Sequence, residues 1–117
     1  MSSIHLKRIY DPYDKGDGYR VLVDRLWPRG IKKENAHIDK WLKDVAPSNK
    51  LREEFHHQSE KWEKFIAAYH SELKDSDSFA ELASDIGKHK NVTLLYAAKD
   101  TEHNNAVALQ QFISHKL

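Results

Sequence analysis

The segment Asn91 to Ala98 constrains this 117-residue chain most, because Val92-Thr93-Leu94-Leu95-Tyr96-Ala97-Ala98 runs with almost no polar alternation. A strand with one wet face alternates apolar and polar side chains. A continuous run of this length instead fits a strand covered on both faces, as in a parallel sheet with helices on either side. Two more segments read as strands. Tyr19 to Leu26 contains Val21-Leu22-Val23, and Ile4 to Tyr10 is rich in β-branched and aromatic types. The latter also carries His5, Lys7 and Arg8, which predicts partial exposure.

Helical spacing fills most of the rest. Ile38, Trp41, Leu42 and Val45 recur with that period until Pro47, and a short helix from near Ser48 presents Leu51 and Phe55. After Ser59, the residues Trp62, Phe65, Ile66, Tyr69 and Leu73 form one apolar stripe. Ser78 to Glu81 reads as a capping box for a helix that buries Phe79, Leu82, Ala83 and Ile86 and ends at Gly87. The last helix is expected from about Glu102 to His115, with Ala106, Leu109, Phe112 and Ile113 inward.

The order strand, strand, four helices, strand, helix predicts a single α/β domain over residues 1–117. Its expected form is a small, mostly parallel sheet of about three strands flanked by four to five helices, a Rossmann-like layered sandwich. The irregular stretch Asp11 to Gly18 is shorter than the roughly twelve residues of a usual helical crossover, so spacing alone leaves the first two strands parallel or antiparallel.

Composition narrows the function classes. Three Trp, five Tyr and four Phe exclude a disordered chain. A net charge of +1 with no basic stripe disfavours nucleic acid as a global electrostatic partner. The absence of cysteine removes disulfides, thiol catalysis and thiolate metal sites, and fits a reducing compartment. The first residues lack the apolar core of a signal peptide, and no stretch approaches the roughly 20 apolar residues of a membrane span. A cytoplasmic protein is expected.

Two polar segments leave the ends of strands. Asp24-Arg25-Leu26-Trp27-Pro28-Arg29-Gly30 combines two guanidiniums with a Trp and a turn-forming Pro and Gly. Arginine offers a rigid fork for phosphate or carboxylate, and ligands of α/β proteins bind at the carboxyl rim of the sheet. The structural alternative is a buried Asp24–Arg25 pair with Trp27 as core. The second segment runs from Tyr96 to Asn105 and contains Lys99, Asp100, His103 and Asn104. Here Asp100 or Thr101 is expected to cap the last helix, whose N-terminal dipole would face the same rim.

Eight histidines raise the question of a metal, yet no His-x-x-x-His or His-Glu-x-x-His spacing occurs. His56 and His57 are adjacent and cannot chelate together from a helix. A metal would need distant ligands such as His103 with Asp24 or Asp100, so none is assigned. No glycine-rich phosphate loop, dinucleotide fingerprint or Ser-His-Asp order is present, and no cofactor is indicated.

The string Asp17-Gly18-Tyr19-Arg20-Val21-Leu22-Val23-Asp24-Arg25-Leu26-Trp27-Pro28-Arg29-Gly30 resembles the YeaO-like branch of the DUF488 proteins. So do Trp41 to Ser48, the Glu60-Lys61-Trp62 start of a helix, and Leu94 to Asp100. The family is one of uncharacterised function, and the resemblance implies a small bacterial or archaeal α/β domain. Longer relatives join the first two strands by a helical crossover, which implies parallel pairing here. Two departures stand out. Relatives tend to read His-Asp-Pro where this chain has His57-Gln58-Ser59, and Asn-His-Ala where it has Asn104-Asn105-Ala106. A mechanism using a ring at position 105 cannot operate in this chain.

These readings converge on an enzyme, or a degenerate descendant of one, whose rim binds a small phosphorylated or nucleotide-like anion. Arg25 and Arg29 would hold it beside the Gly30 turn, assisted by Lys99 and the Asn104 amide. Tyr96 and Trp27 would shape the pocket, with Asp24, Asp100 or His57 as acid–base groups. The competing class is a non-catalytic metabolite-sensing or protein-interaction module. A third reading is nucleic-acid association through Lys32, Lys33 and neighbours.

Overall fold

The computed structural model describes residues 2–56 and 58–116; His57, a candidate acid–base group, lies outside the described residues. Among the described residues four strands form one sheet: β1 (Ser3–Arg8), β2 (Tyr19–Leu22), β3 (Lys40–Trp41) and β4 (Asn91–Tyr96). Their spatial order is β1-β4-β2-β3, and every pairing is parallel. The apolar run thus sits at the centre of the sheet, where Val92, Leu94 and Leu95 are fully buried. Burying each such side chain contributes about 1.5–3 kcal/mol.

Register divides the side chains between two unlike faces. Ile4, Leu6, Tyr19, Val21, Val92 and Leu94 share one face, while His5, Lys7, Arg20, Leu22, Thr93 and Leu95 share the other. The first face carries the main core. It is covered by α2 (Asn49–Phe55), α3 (Trp62–Leu73), α4 (Asp77–Gly87) and α5 (Asn105–Lys116), which bury Phe55, Phe65, Tyr69, Leu82 and Leu109 against it. Among the described residues the second face has only the one-turn α1 (Lys33–Ala36) and loops over it, with Ile9, Leu22 and Leu95 packing against Trp27, Ile31 and Ile38. No helix among the described residues is long and apolar enough to cross a membrane.

Residues 9–18 join β1 to β2 across β4, a shorter path than a helical crossover, and the first two strands are parallel. A 3-10 turn at Lys15–Asp17, capped by Asp14, compacts this path. The path is pinned from below, since Thr93 Oγ1 donates to the Asp17 carbonyl at 2.7 Å. Gly18 closes it at φ +68°, where a Cβ would stand 2.3 Å from the Asn91 carbonyl oxygen.

Beneath these loops lies Arg20, only 2% exposed. Its Nε donates to the His37 carbonyl at 2.9 Å, Nη2 donates to the Ala36 carbonyl at 3.2 Å, and Nη1 pairs with Asp17. Lys7 Nζ reaches the same carboxylate at 3.0 Å. Burial pushes the Asp17 carboxyl up, but the bonds from Lys7, the Asp14 backbone and Arg20 outweigh it and leave the group below its ordinary value.

Several elements differ from expectation. The residues Ile38, Trp41, Leu42 and Val45 do not form a helix: Lys40–Trp41 is an edge strand, followed by a 3-10 turn at Lys43–Val45. Ile38 packs on the loop face and Leu42 and Val45 in the main core, so their spacing records a chain passing between two cores. The α4 cap is Ser76, whose Oγ accepts from Phe79 N–H at 3.1 Å, two residues before the expected position. The last helix begins at Asn105, because Asn104 Oδ1 accepts the Val107 N–H at 2.9 Å and caps it in place of Asp100 or Thr101.

Two outcomes follow for stability. Gly18→Ala is expected to cost about 2 kcal/mol or more, from a positive φ and a backbone clash together. Gly30→Ala, at φ +81° with nothing within 4 Å of its Cβ, meets only the dihedral penalty and should cost about 1 kcal/mol. Urea unfolding of the two variants measures the difference. Asp17→Asn should cost about 3 kcal/mol near neutral pH, since it leaves Arg20 buried without its carboxylate. Asp17 titrates lower in the folded chain, so its contribution is present above the unfolded value of 3.8 and is lost as pH falls through the folded value. The gap between wild type and variant should therefore narrow in acid; a gap that widens there would contradict this role for Asp17.

Candidate functional site

Because β2 and β4 are parallel neighbours, the two polar segments leave the sheet side by side. Val23 N–H still donates to the Leu95 carbonyl at 3.1 Å, and the next residue, Asp24, closes the junction. Its Oδ2 accepts the Ala97 N–H at 2.8 Å, and its Oδ1 accepts from Asn105 Nδ2 at 3.1 Å. The same Asn105 amide also donates to the Val23 carbonyl at 3.1 Å. One carboxylate thus ties the end of β2 to the end of β4 and to the first turn of α5. Burial pushes the Asp24 carboxyl up; the bonds from Asn105 and Ala97 and the nearby Arg52 offset this only in part.

Arg25 turns away from this junction. Its Nη2 donates to the carbonyls of Ala46 at 3.2 Å and Pro47 at 3.3 Å, and Nη1 lies 3.7 Å from Asp44. It does not pair with Asp24 among the described contacts. A cavity of about 130 Å³ beside it is lined also by Asp44, Ser48, Tyr69 and Glu72. Those two carboxylates oppose entry of an anion. The Tyr69 hydroxyl donates to the Val45 carbonyl at 2.6 Å, and Glu72 holds both the backbone N–H and the hydroxyl of Ser48. A larger hollow of about 460 Å³ lies away from the rim on the loop face, between His5, Lys7, Asp14, Asp17 and Thr93.

The Trp27 ring, partly buried, packs against the loop-face cluster, and its Nε1 donates to the Ile31 carbonyl at 2.7 Å. It meets Trp41 edge to face at 5.4 Å, and Trp41 Nε1 donates to the Asp24 carbonyl at 2.8 Å. Arg29 and Gly30 are exposed, and the Arg29 carbonyl accepts the Tyr10 hydroxyl at 2.8 Å.

On the other side of the junction, Tyr96 is 4% exposed and Asn104 1%. Both lie beneath the surface. Asn104 Nδ2 donates to the Asp100 carbonyl at 2.9 Å while its Oδ1 caps α5, so both ends of its amide are engaged. Burial pushes the Tyr96 phenol up. Asp100 accepts the N–H groups of Glu102 and His103 at 2.9 and 3.0 Å, which together with His103 Nδ1 at 3.0 Å hold its carboxyl below the ordinary range. Lys99 is exposed.

Arg8 was not singled out in the sequence, yet it ties the end of β1 to the segment that follows β4. Its Nε donates to the Ala98 carbonyl at 2.9 Å and Nη2 to the Ala97 carbonyl at 3.1 Å, while its guanidinium lies 5.1 Å from the Tyr10 ring. A cation near the end of the first expected strand was the available signal. Asn105 was noted only for the ring it lacks, and Arg52 carried no signal beyond a helical position.

Comparison with known proteins agrees with the motifs. The model of a family described as the inactive DUF488-N3 subclade matches residues 3–117. The uncharacterised protein YeaO of Escherichia coli (strain K12) is 43% identical over 111 residues, which cover 95% of this chain and 96% of that protein. The uncharacterised protein Rv3073c of Mycobacterium tuberculosis (strain ATCC 25618 / H37Rv) is 41% identical over 111 residues, covering 95% of this chain and 93% of that one. No solved structure matches the chain. With the family model spanning nearly its whole length and these relatives aligned end to end, the chain belongs to the inactive DUF488-N3 subclade.

Proposed function

We propose that this chain is a non-catalytic binding module whose strand-end cleft is closed by its own hydrogen bonds. The observation that carries this reading is the state of Asp24. A half-buried carboxyl with a raised pKa is the usual mark of a general acid. Here, however, both of its oxygens accept from an amide, one from the backbone of Ala97 and one from Asn105. Neither donor can relay a proton near neutral pH. Asp100 is spent on capping its own turn, and the Nη2 of Arg25 on two carbonyls. The word inactive in the family's description and the absence of a ring at position 105 point the same way.

A small anion at the rim is the second reading. Arg29 and Lys99 favour it, being exposed and without an ion pair among the described residues.

The two readings separate in one experiment. Wild type and Asp24→Asn are incubated with a panel of sugar phosphates and nucleotides and followed by phosphorus and proton NMR, with thermal shifts recorded alongside. No turnover by either protein is expected. A product formed by wild type and not by the variant would overturn the non-catalytic reading, and a thermal shift abolished by neutralising Arg29 and Lys99 would establish the anion site.

Asp24 should also leave a signature in stability. Its folded pKa is raised, so the folded state holds its proton more tightly, and stability from this group falls as pH rises from below 3.8 through the folded value. Asp24→Asn should therefore cost most in acid and progressively less towards neutrality, the opposite trend from Asp17→Asn. Urea midpoints between about pH 3.5 and 7 measure it.

A further inference from the structure

The sheet ends in β1, and among the described residues no strand pairs with the outer side of that strand. Ser3 N–H donates to the Lys90 carbonyl at 2.9 Å and Ile9 N–H to the Tyr96 carbonyl at 2.8 Å. Backbone groups alternate along a strand, so the odd residues of β1 bond to β4, while the N–H and C=O groups of Ile4 and Leu6 face outward. Among the described residues one group bonds to that edge between Ser3 and Lys7. It is the Gln110 side chain, whose Nε2 donates to the Ile4 carbonyl at 3.0 Å. A side-chain amide thus stands where the N–H of a further strand would stand. Edge strands are commonly shielded by a charged side chain. Here Lys7 is drawn back onto Asp17 at 3.0 Å.

The helix beside this edge, α5, is depleted of charge. Residues 103–115 contain no Asp, Glu, Lys or Arg, in a chain of which 32% is charged. Burial explains this for Ala106, Ala108, Leu109, Phe112 and Ile113. It does not explain it for Val107 and Gln110, which are half-buried, or for Gln111 and Ser114, which are exposed. The neighbouring helices expose Glu63, Lys64 and Glu72 on α3, and Asp77 and Glu81 on α4. Val107, Gln110 and Ser114 follow one another at three- and four-residue spacing, so they form a stripe on the side of α5 that reaches Ile4. Depletion of charge marks the centre of an interface more reliably than apolar content does.

We propose that a second copy of this chain docks along β1, antiparallel to it about a twofold axis at His5, and joins the two sheets into one. Such an axis stands perpendicular to the sheet. It sets Ile4 against Leu6 of the second copy on the helical face, and Ser3 against Lys7 on the other. Ile4 and Leu6 then exchange both main-chain bonds, and the second lone pair of the Ile4 carbonyl leaves the Gln110 bond in place. Because α5 touches both β1 and β4, the axis brings the two copies of α5 to about 10 Å apart, close to the roughly 8–10 Å of packed helices. The bond to Ile4 puts Gln110 near the axis, with Val107 of one copy towards Ser114 of the other. No Lys, Arg, Asp or Glu is set opposite a like charge. A lone extended peptide would cover the strand and leave the α5 stripe in water, whereas a second copy covers both. Strand and helix together give a contact about 20 Å long and two layers deep. That amounts to roughly 1,000 Å² in total, the lower limit of a specific interface, and fits a dimer of micromolar strength.

Sedimentation of the full chain near neutral pH, from about 5 to 500 μM, reads the association. Hydrogen exchange of the ¹⁵N-labelled chain at about 50 and 500 μM reads where it occurs. The dimer should grow with concentration, and exchange at the Ile4 and Leu6 amides should slow at least about twofold between the two samples. Gln110→Lys keeps a donor for the Ile4 carbonyl but sets two ammonium groups across the axis, and should raise the dissociation constant at least about tenfold. Ser114→Arg, at an exposed position, should raise it as well, with circular dichroism matching wild type. A single copy at every concentration overturns the proposal. So does a dimer that leaves exchange at Ile4 and Leu6 unchanged, or one that neither variant weakens. The exchange measurement uses the wild-type chain, so a variant that fails to fold does not remove the test. Turnover in the phosphate and nucleotide panel leaves all of these results where they are, because the pairing does not depend on the rim.

Discussion

A buried guanidinium organises the side of the sheet that has no helical layer. With β4 lying between β1 and β2, the chain must cross β4 within residues 9–18, too short a path to build a helix that could cover the sheet. Arg20 solves the coverage problem in another way. Its donors gather the carboxylate of Asp17 from the crossing segment and the carbonyls of Ala36 and His37 from the segment before β3. Those two loops are thus fixed over polar contacts at one end of the face, while Ile9, Leu22 and Leu95 hold the other end by apolar packing. A neutral residue at position 20 would leave the Ala36 and His37 carbonyls and the Asp17 carboxylate without these donors.

Asp24 plays the corresponding part at the opposite end of the strands. Parallel sheets leave an opening at their carboxyl rim because neighbouring chains diverge there, and in many α/β proteins that opening takes a ligand. In this chain each oxygen of Asp24 at that rim accepts an internal donor, one the Ala97 N–H and the other the Asn105 amide. Arg8 adds a third tie by binding the carbonyls of Ala97 and Ala98 from the edge strand. Every one of these bonds joins elements distant in sequence, so the rim contributes to holding the sheet's ends together.

The sequence made the strongly periodic parts of this structure readable and little else. The apolar run of β4, the stripe Phe65, Tyr69 and Leu73 on α3, and the inward face of α5 were visible because burial on a regular element imposes a period. The edge strand Lys40–Trp41 was not, because two residues carry no period and their neighbours Ile38 and Leu42 serve opposite faces. Of the site, Asp24 and Asp100 were legible as polar residues following strands. What they bond to was not, since an aspartate reads the same whether it meets a ligand or a backbone N–H. Arg20 stood in plain sight beside Val21, yet alternation alone would have placed it in solvent; only the loops folded over it make the position buried. The doublet Asn104-Asn105 divides its work in a similarly hidden way, one residue capping the helix and the other reaching back to β2.

Closing the rim has a consequence for where recognition can occur. Polar groups saturated by internal bonds gain little from a ligand, because each new contact must replace an existing one of similar strength. Groups held in place but still solvated bind at lower cost, since their ordering has already been met by folding. In this chain the two conditions occur on adjacent residues. Asp24 and the Nη2 of Arg25 are engaged by internal partners, whereas Leu26 and Arg29 on the loop that follows are exposed. The bonds that join the ends of β2, β4 and α5 are therefore also the ones that fix where the loop after β2 leaves the sheet.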